Sequence, residues 1–219
     1  VSSVPLTEYP RPSLAVDTAT FTVTGRGLEI VLVTEDVGLA LPGTFVHERE
    51  RLEAAVLRSL RTKAGITGRE PQQLQVFDDP DRDPRGWVVT VAHLDVVPGS
   101  VVAEGLTGGR ITLAPVGEVE VPGGIRLPYD HPRVFAEALR RVRDAHSQHP
   151  DPWGLLSQAF SLGDLQSLHE SVAGEVLPRD TFRRSMKRQL EPTGDYTDGR
   201  RGRPSLLYRH RSAGRTHRG

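Results

Sequence analysis

Apolar periodicity changes once along this chain, and that change limits the possible folds more than any other feature. In "LAVDTATFTV" (Leu14 to Val23) apolar and polar residues alternate, as in a half-buried strand. "LEIVLVTE" is an apolar run rich in β-branched residues, and the "GRG" turn at Gly25 to Gly27 joins the two as a hairpin. "LQVFDD", "WVVTVAHLDVV", "RITLAPV" and "EVEVPGGIRL" read as further strands, with "DDPDRDPRG" as a loop between two of them. One helical segment interrupts this half: from Glu48 to Lys63 the apolar residues recur at helical spacing, and Gly65 supplies a stop. Beyond "PYD" the period is helical. "HPRVFAEALRRVRDAHSQH", "FSLGDLQSLHESVAGE" and "LPRDTFRRSMKRQL" predict three helices, the second opened by a capping-box-like Ser161 and Asp164. "GDYTDGRRGRPSLLYRHR" then reads as a hairpin. The expected class is α+β: a mixed-sheet domain over residues 1–128, a connecting helix over 129–148, a helical module with a hairpin over 149–211, and a disordered basic tail over 212–219.

Composition removes several chemistries. Without cysteine there is no disulfide framework, thiolate metal site or cysteine nucleophile. No apolar run approaches the ~20 residues of a membrane span, and "VSSVPLTEYPRPS" lacks the pattern of a signal peptide. A cytoplasmic protein without membrane partners is expected. The formal net charge of zero hides a division: Pro178 to Gly219 holds 12 Lys/Arg and 4 Asp/Glu, net +8, so residues 1–177 carry net −8. Such asymmetry points to a polyanion partner for the basic end.

Helix, turn, helix and basic hairpin is the order of a winged helix-turn-helix. In the last helix Phe182, Met186 and Leu190 form one stripe for the interior. Arg179, Thr181, Arg183, Arg184, Lys187 and Arg188 are then candidates to meet double-stranded DNA. Arg200, Arg201 and Arg203 at the hairpin tip can reach phosphates or a narrow minor groove.

"LPGTFVHERERLEAAVLRSLRTKAGI" (Leu41 to Ile66) resembles the Nudix box. In that family a Gly is followed by six residues ending in Glu, and later by Arg-Glu, an apolar residue, a Glu-Glu pair, Gly and an apolar residue. Gly43, Glu50, Arg58, Leu60, Gly65 and Ile66 match the outline, with Thr44 in place of a second Gly. Ser59 stands where the Glu after Arg belongs, and Thr62 and Lys63 replace the Glu-Glu pair. Those carboxylates hold divalent metal in Nudix hydrolases, and neutral hydroxyls and an ammonium are poor substitutes. No catalytic residue, no metal and no cofactor is therefore expected. The resemblance leaves a groove shaped for a nucleoside diphosphate, with Phe45, His47, Arg49, Arg58 and Lys63 as candidate ligand contacts and Glu50 as a structural partner of Arg58.

Taken together, "PRPSLAVD", "LPGTFVHE", "LPYDHPRVFAEALRRVR", "FSLGDLQSLHE", "DTFRRSMKRQL" and "GRRGRPSLLYR" resemble the Nudix-related transcriptional regulators of NAD metabolism, the NrtR family. The resemblance implies a homodimer on a palindromic operator, repression of genes for NAD synthesis or salvage, and ADP-ribose or another NAD-derived nucleotide as effector. It makes residues 1–128 a Nudix-like ligand-sensing domain and the helix over 129–148 a relay. Two alternatives stand beside it: an ADP-ribose or nucleotide-sugar pyrophosphatase with an unusual metal site, and a ligand-independent repressor whose Nudix domain serves dimerisation.

Overall fold

The computed structural model describes residue 5 and residues 8–198 and 204–211. Two compact units result: Val1–Thr22 with Glu29–Ala138, and Val23–Leu28 with Leu139–Gly219.

The first unit is built on a mixed sheet of seven strands. β1 (Ser13–Thr24) and β2 (Gly27–Glu35) form the expected hairpin. β3 (Gly38–Ala40) adds to β2, and β4 (Gly43–Phe45) pairs antiparallel with β1. β5 (Gln72–Phe77) runs against β6 (Val88–Val96), which lies parallel to β1 with Asp17 opposite Ala92. β7 (Ile111–Pro115) closes on β2. Because successive side chains point to opposite faces, β1 presents Val16 to one side and Asp17 and Phe21 to the other. α1 (Leu52–Ser59) covers the Val16 side: Ala55, Val56, Leu60 and Ala64 pack on Val16, Val31, Val33 and Val97. The Phe21 side takes the start of α3 (His131–Gln148), with Phe21 and Phe135 rings 6.2 Å apart.

Besides the short β3 and β4, which no alternation signals, three features of this unit differ from the sequence reading. α1 starts at Leu52, four residues later than Glu48, and its last turn, Leu60–Ala64, widens into a π-helical turn closed by Gly65 at φ 69°. "EVEVPGGIRL" is not a strand: Pro122, Gly123 and Gly124 turn the chain, and one isolated bridge, Val119 to Ile125, is all the pairing there. α2 (Gly99–Thr107) was unforeseen, since glycines flank a short apolar stretch; only Val102 and Gly105 of it are buried.

In the second unit the helical half behaves as its pattern dictates. α4 (Leu162–Ala173) opens with Ser161 at the N-cap: its Oγ accepts from the Asp164 N–H, Asp164 accepts from the Ser161 N–H, and Gly174 at φ 79° ends the helix. α5 (Arg179–Lys187) follows, then β9 (Leu190–Tyr196) and β10 (Leu206–His210). A short strand missed by the sequence reading, β8 (Phe160–Ser161), joins β10, so the wing is a three-stranded sheet in the order β8-β10-β9. Its core is Phe160, Leu162, Leu165, Phe182, Met186 and Leu190.

Candidate functional site

One cleft in the first unit gathers most of its unusual polar chemistry. Its volume is about 260 Å³. Its floor comes from β1 and β4, where Asp17 pairs with Gly43. This explains the glycine: a Cβ at Gly43 would stand 2.1 Å from Asp17 Oδ1. Asp17 is buried and belongs to a closed ion network. The Arg82 guanidinium reaches Asp130 through Nε at 2.9 Å and Nη2 at 2.6 Å, and Asp17 at 3.3 Å. His131 Nδ1 accepts from the Leu41 N–H at 3.2 Å, which leaves Nε2 to face Asp17 Oδ1 at 3.4 Å. Burial pushes the Asp17 carboxyl up, but His131 and Arg82 outweigh it and hold the group below its ordinary value.

The loop "DDPDRDPRG" supplies both Arg82 and the cleft's outer wall. Arg85 lies over the rings of Tyr129 at 4.8 Å and Phe45 at 5.3 Å. Buried Asp83 clamps it, accepting from Arg85 Nη2 at 2.7 Å, and the hydrogen bonds from Arg85 hold that carboxyl below its usual range. Tyr129 takes φ 56°, a left-handed conformation uncommon for an aromatic residue. Lys63, Glu35 and Asp36 line the opposite side, and Lys63 Nζ is 2.6 Å from Glu35.

Of the five candidate ligand contacts, Phe45 and Lys63 line this cleft. His47 and Arg49 are exposed and do not line it. Arg58 works from behind: it donates to both Glu50 oxygens, to Thr44 Oγ1 at 3.1 Å and to the Phe45 carbonyl at 2.9 Å. Glu50 also accepts from the His47 N–H, and Arg58 with that bond lowers its pKa to about 2. Glu50 lies seven residues after Gly43, one more than the family spacing, and Arg49 in that loop takes φ 63°. At the three departures from the box, the Ser59 hydroxyl is buried without a partner, Thr62 donates to the Arg58 carbonyl, and Lys63 holds Glu35. The sequence reading missed Asp17, Arg82, Arg85, Tyr129 and His131. The one available signal was the charge density of "DDPDRDPRG" and "YDH", read as loop and helix start.

A second candidate surface lies on α5. Phe182 and Met186 are buried, so the opposite face carries Asp180, Arg184, Lys187 and Arg188, all exposed, with Thr181 beside them. Arg179 is exposed at the first turn. Arg183 does not share the outward face: it is half-buried, and its Nε is enclosed without a hydrogen-bond partner. Lys187 lies over the Tyr208 ring at 5.8 Å, which ties α5 to β10. Arg200, Arg201 and Arg203 lie outside the described residues.

A mixed sheet with a loop-helix segment of Nudix pattern, followed by a winged helix, defines the class: a Nudix-fold domain joined to a DNA-binding module. The winged helix is of one known kind, since the family model of the NrtR DNA-binding winged helix domain matches residues 152–210. The chain is 29% identical over 215 residues to the ADPR responsive transcriptional repressor NtrR of Acinetobacter baylyi, covering 92% of this chain and 83% of that protein. It is 42% identical over 103 residues to the ADP-ribose pyrophosphatase of Methanocaldococcus jannaschii, covering 46% of this chain and 57% of that protein. The crystal structure of Shewanella oneidensis NrtR with a 27mer DNA superimposes with a TM-score of 0.73 at 29% identity, covering 90% of this chain and 93% of that one. The NUDIX domain of the same protein in complex with ADP ribose gives 0.52 at 26% identity over 64% of this chain and 94% of that one. The chain is therefore built as the NrtR regulators are, a Nudix domain with their winged helix.

Proposed function

We propose that this chain is a transcriptional repressor of genes for NAD synthesis or salvage. It acts in the cytoplasm, binds a palindromic operator as a homodimer through its winged helices, and releases DNA when ADP-ribose or a related NAD-derived nucleotide fills the cleft. The observation that carries this reading is the outward face of α5: exposed Arg184, Lys187 and Arg188 in a domain that matches the NrtR winged helix. Two relatives support the effector, one ADPR responsive and the other with ADP ribose bound in its NUDIX domain.

The cleft suits recognition better than hydrolysis. Nudix hydrolysis depends on divalent metal, and the residues at the metal-binding positions do not fit one: a buried serine, a threonine committed to a backbone carbonyl, and a lysine. Among the described residues no group of three or more His, Asp or Glu is arranged to hold a metal. Lys63, half-exposed in its pair with Glu35, can instead turn toward a diphosphate, while Phe45, Tyr129 and Arg85 offer flat surfaces to a base. The boundaries that accompany this reading are a sensing domain over 1–128, a connecting helix over 129–148, a DNA-binding domain over 149–211 and a tail over 212–219.

Electrophoretic retardation of promoter fragments from NAD-synthesis genes, with random DNA as competitor, tests the reading. A retarded band that survives competitor and dissolves with ADP-ribose is the expected result. Retardation indifferent to every NAD-derived nucleotide would leave a ligand-independent repressor. A second reading, an ADP-ribose pyrophosphatase, is favoured by the likeness to the Methanocaldococcus jannaschii enzyme; steady turnover of ADP-ribose with Mg²⁺ or Mn²⁺ would establish it.

A further inference from the structure

The outward face of α5 carries one residue that an electrostatic DNA clamp does not need. Asp180 sits in its first turn, exposed amid Arg179, Arg184, Lys187 and Arg188. A carboxylate aimed at a phosphate backbone is repelled by it. Asp180 is four residues before Arg184, the acid-before-base order that favours an ion pair along a helix. Even so, neither side chain makes a hydrogen bond or ion pair among the described residues, whereas Arg140 and Asp144 at the same spacing close to 2.6 Å. Both residues are exposed, one helical turn apart, on the face opposite Phe182 and Met186.

Base edges in the major groove match such a pair. A carboxylate accepts from the N4 amino group of cytosine, and a guanidinium donates twice to O6 and N7 of guanine. Resting on the DNA-binding reading above, we propose that Asp180 and Arg184 are specificity-determining residues: Asp180 reads a cytosine and Arg184 a guanine. Four residues of helix advance about 6 Å, and base pairs are spaced about 3.4 Å apart, so the two bases lie about two pairs from each other. Lys187 and Arg188, one turn further on, face phosphate. The simpler role for Asp180 is a favourable charge at a helix start, which predicts an effect on stability and none on base choice.

The test is selection of binding sites from a randomised duplex pool by the full chain and by Asp180→Ala, Asp180→Asn and Arg184→Ala, with melting temperatures measured in parallel. The parent is expected to fix a cytosine and a nearby guanine in each half-site. Asp180→Ala should lose the cytosine preference, roughly tenfold to hundredfold, with affinity for random DNA unchanged or raised. Asp180→Asn should move that position toward adenine, because an amide pairs with adenine N6 and N7. Arg184→Ala should relax the guanine alone. Asp180→Ala with the parental preference at every position, whether or not its melting point falls, overturns the assignment while DNA binding stands. Enrichment of no sequence by the parent chain would overturn the DNA-binding reading and this one together.

Discussion

Arg58 stands on α1, yet all four of its side-chain hydrogen bonds reach back to β4 and the loop before the helix, to Thr44, Phe45 and Glu50, which shapes one wall of the cleft. Arg58→Ala is expected to lower the melting temperature and weaken ADP-ribose binding by calorimetry while ligand-free DNA retardation persists; unchanged ligand affinity would show that the loop holds without it. The bridge has a pH window of its own. The Glu50 pKa of about 2 lies below its ordinary 4.5, so the bridge contributes fully above about pH 4.5 and is lost as pH falls toward 2. His146 behaves as the acid-sensitive residue of the second unit. It is buried, stacked on Trp153 at 5.2 Å and edge-on to His169 at 5.4 Å, and its Nδ1–H donates to the Val142 carbonyl. Burial, with a smaller contribution from neighbouring His169, outweighs the opposing pull of the Val142 carbonyl and Asp151 and brings it down to about 4. A histidine depressed from 6.5 stabilises the fold fully above about pH 6.5 and loses that contribution as pH falls through 4. The loss is on the order of 3 kcal/mol. His146→Phe should therefore flatten the fall in melting temperature between pH 7 and 4, and a slope equal to the parent's would contradict the assignment.

Elements here are positioned by close backbone approach as much as by side chains. α2 lies so near the π-helical turn that a Cβ on Gly105 would stand 2.2 Å from the Ala64 carbonyl oxygen and 3.1 Å from Ile111. Backbone cannot yield as a flexible side chain can, so Gly105→Ala should destabilise by about 1–3 kcal/mol. Gly99→Ala, with nothing within 4 Å, should be neutral in the same thermal melts. On α5 the division between faces sets the magnitudes. Replacing Arg184 by alanine should weaken operator retardation chiefly through lost base recognition, and replacing Arg188 should weaken it on any sequence and flatten the dependence of log affinity on log salt by about one. Replacing half-buried Arg183 should change the salt dependence less.

At the scale of the whole molecule the proposed function is a coupling free energy between a ligand and an operator. If ADP-ribose weakens operator affinity by some factor, bound operator must weaken ADP-ribose affinity by the same factor. Measuring ADP-ribose affinity on the free chain and on the operator complex checks this directly. Equal affinities in the two states, alongside ligand-induced release, would place the cause of release outside this chain. α3 begins in the unit that holds the cleft and ends in the unit that holds α5, and the β1–β2 hairpin is the other place where the backbone passes between the two.

Much of this protein was settled along the chain. Period-two alternation, helical stripes and the Ser161 cap are local properties, and α3, α4, α5 and the long strands followed from them. The Nudix outline and the winged-helix order were equally legible, since each is a pattern of neighbouring residues. The cleft was not. Asp17, Arg82 and Asp130 are separated by 65 and 48 positions and meet only because β1, the loop before β6 and the start of α3 converge. Position along a helix also left Arg183 and Arg184 alike as basic neighbours, and only packing against Phe182 and Met186 turned one inward and the other out. Sequence determined which elements form, because backbone preference and apolar period act over a few residues. The tertiary structure decided which charges share a site, because ion pairs and burial depend on distance through space.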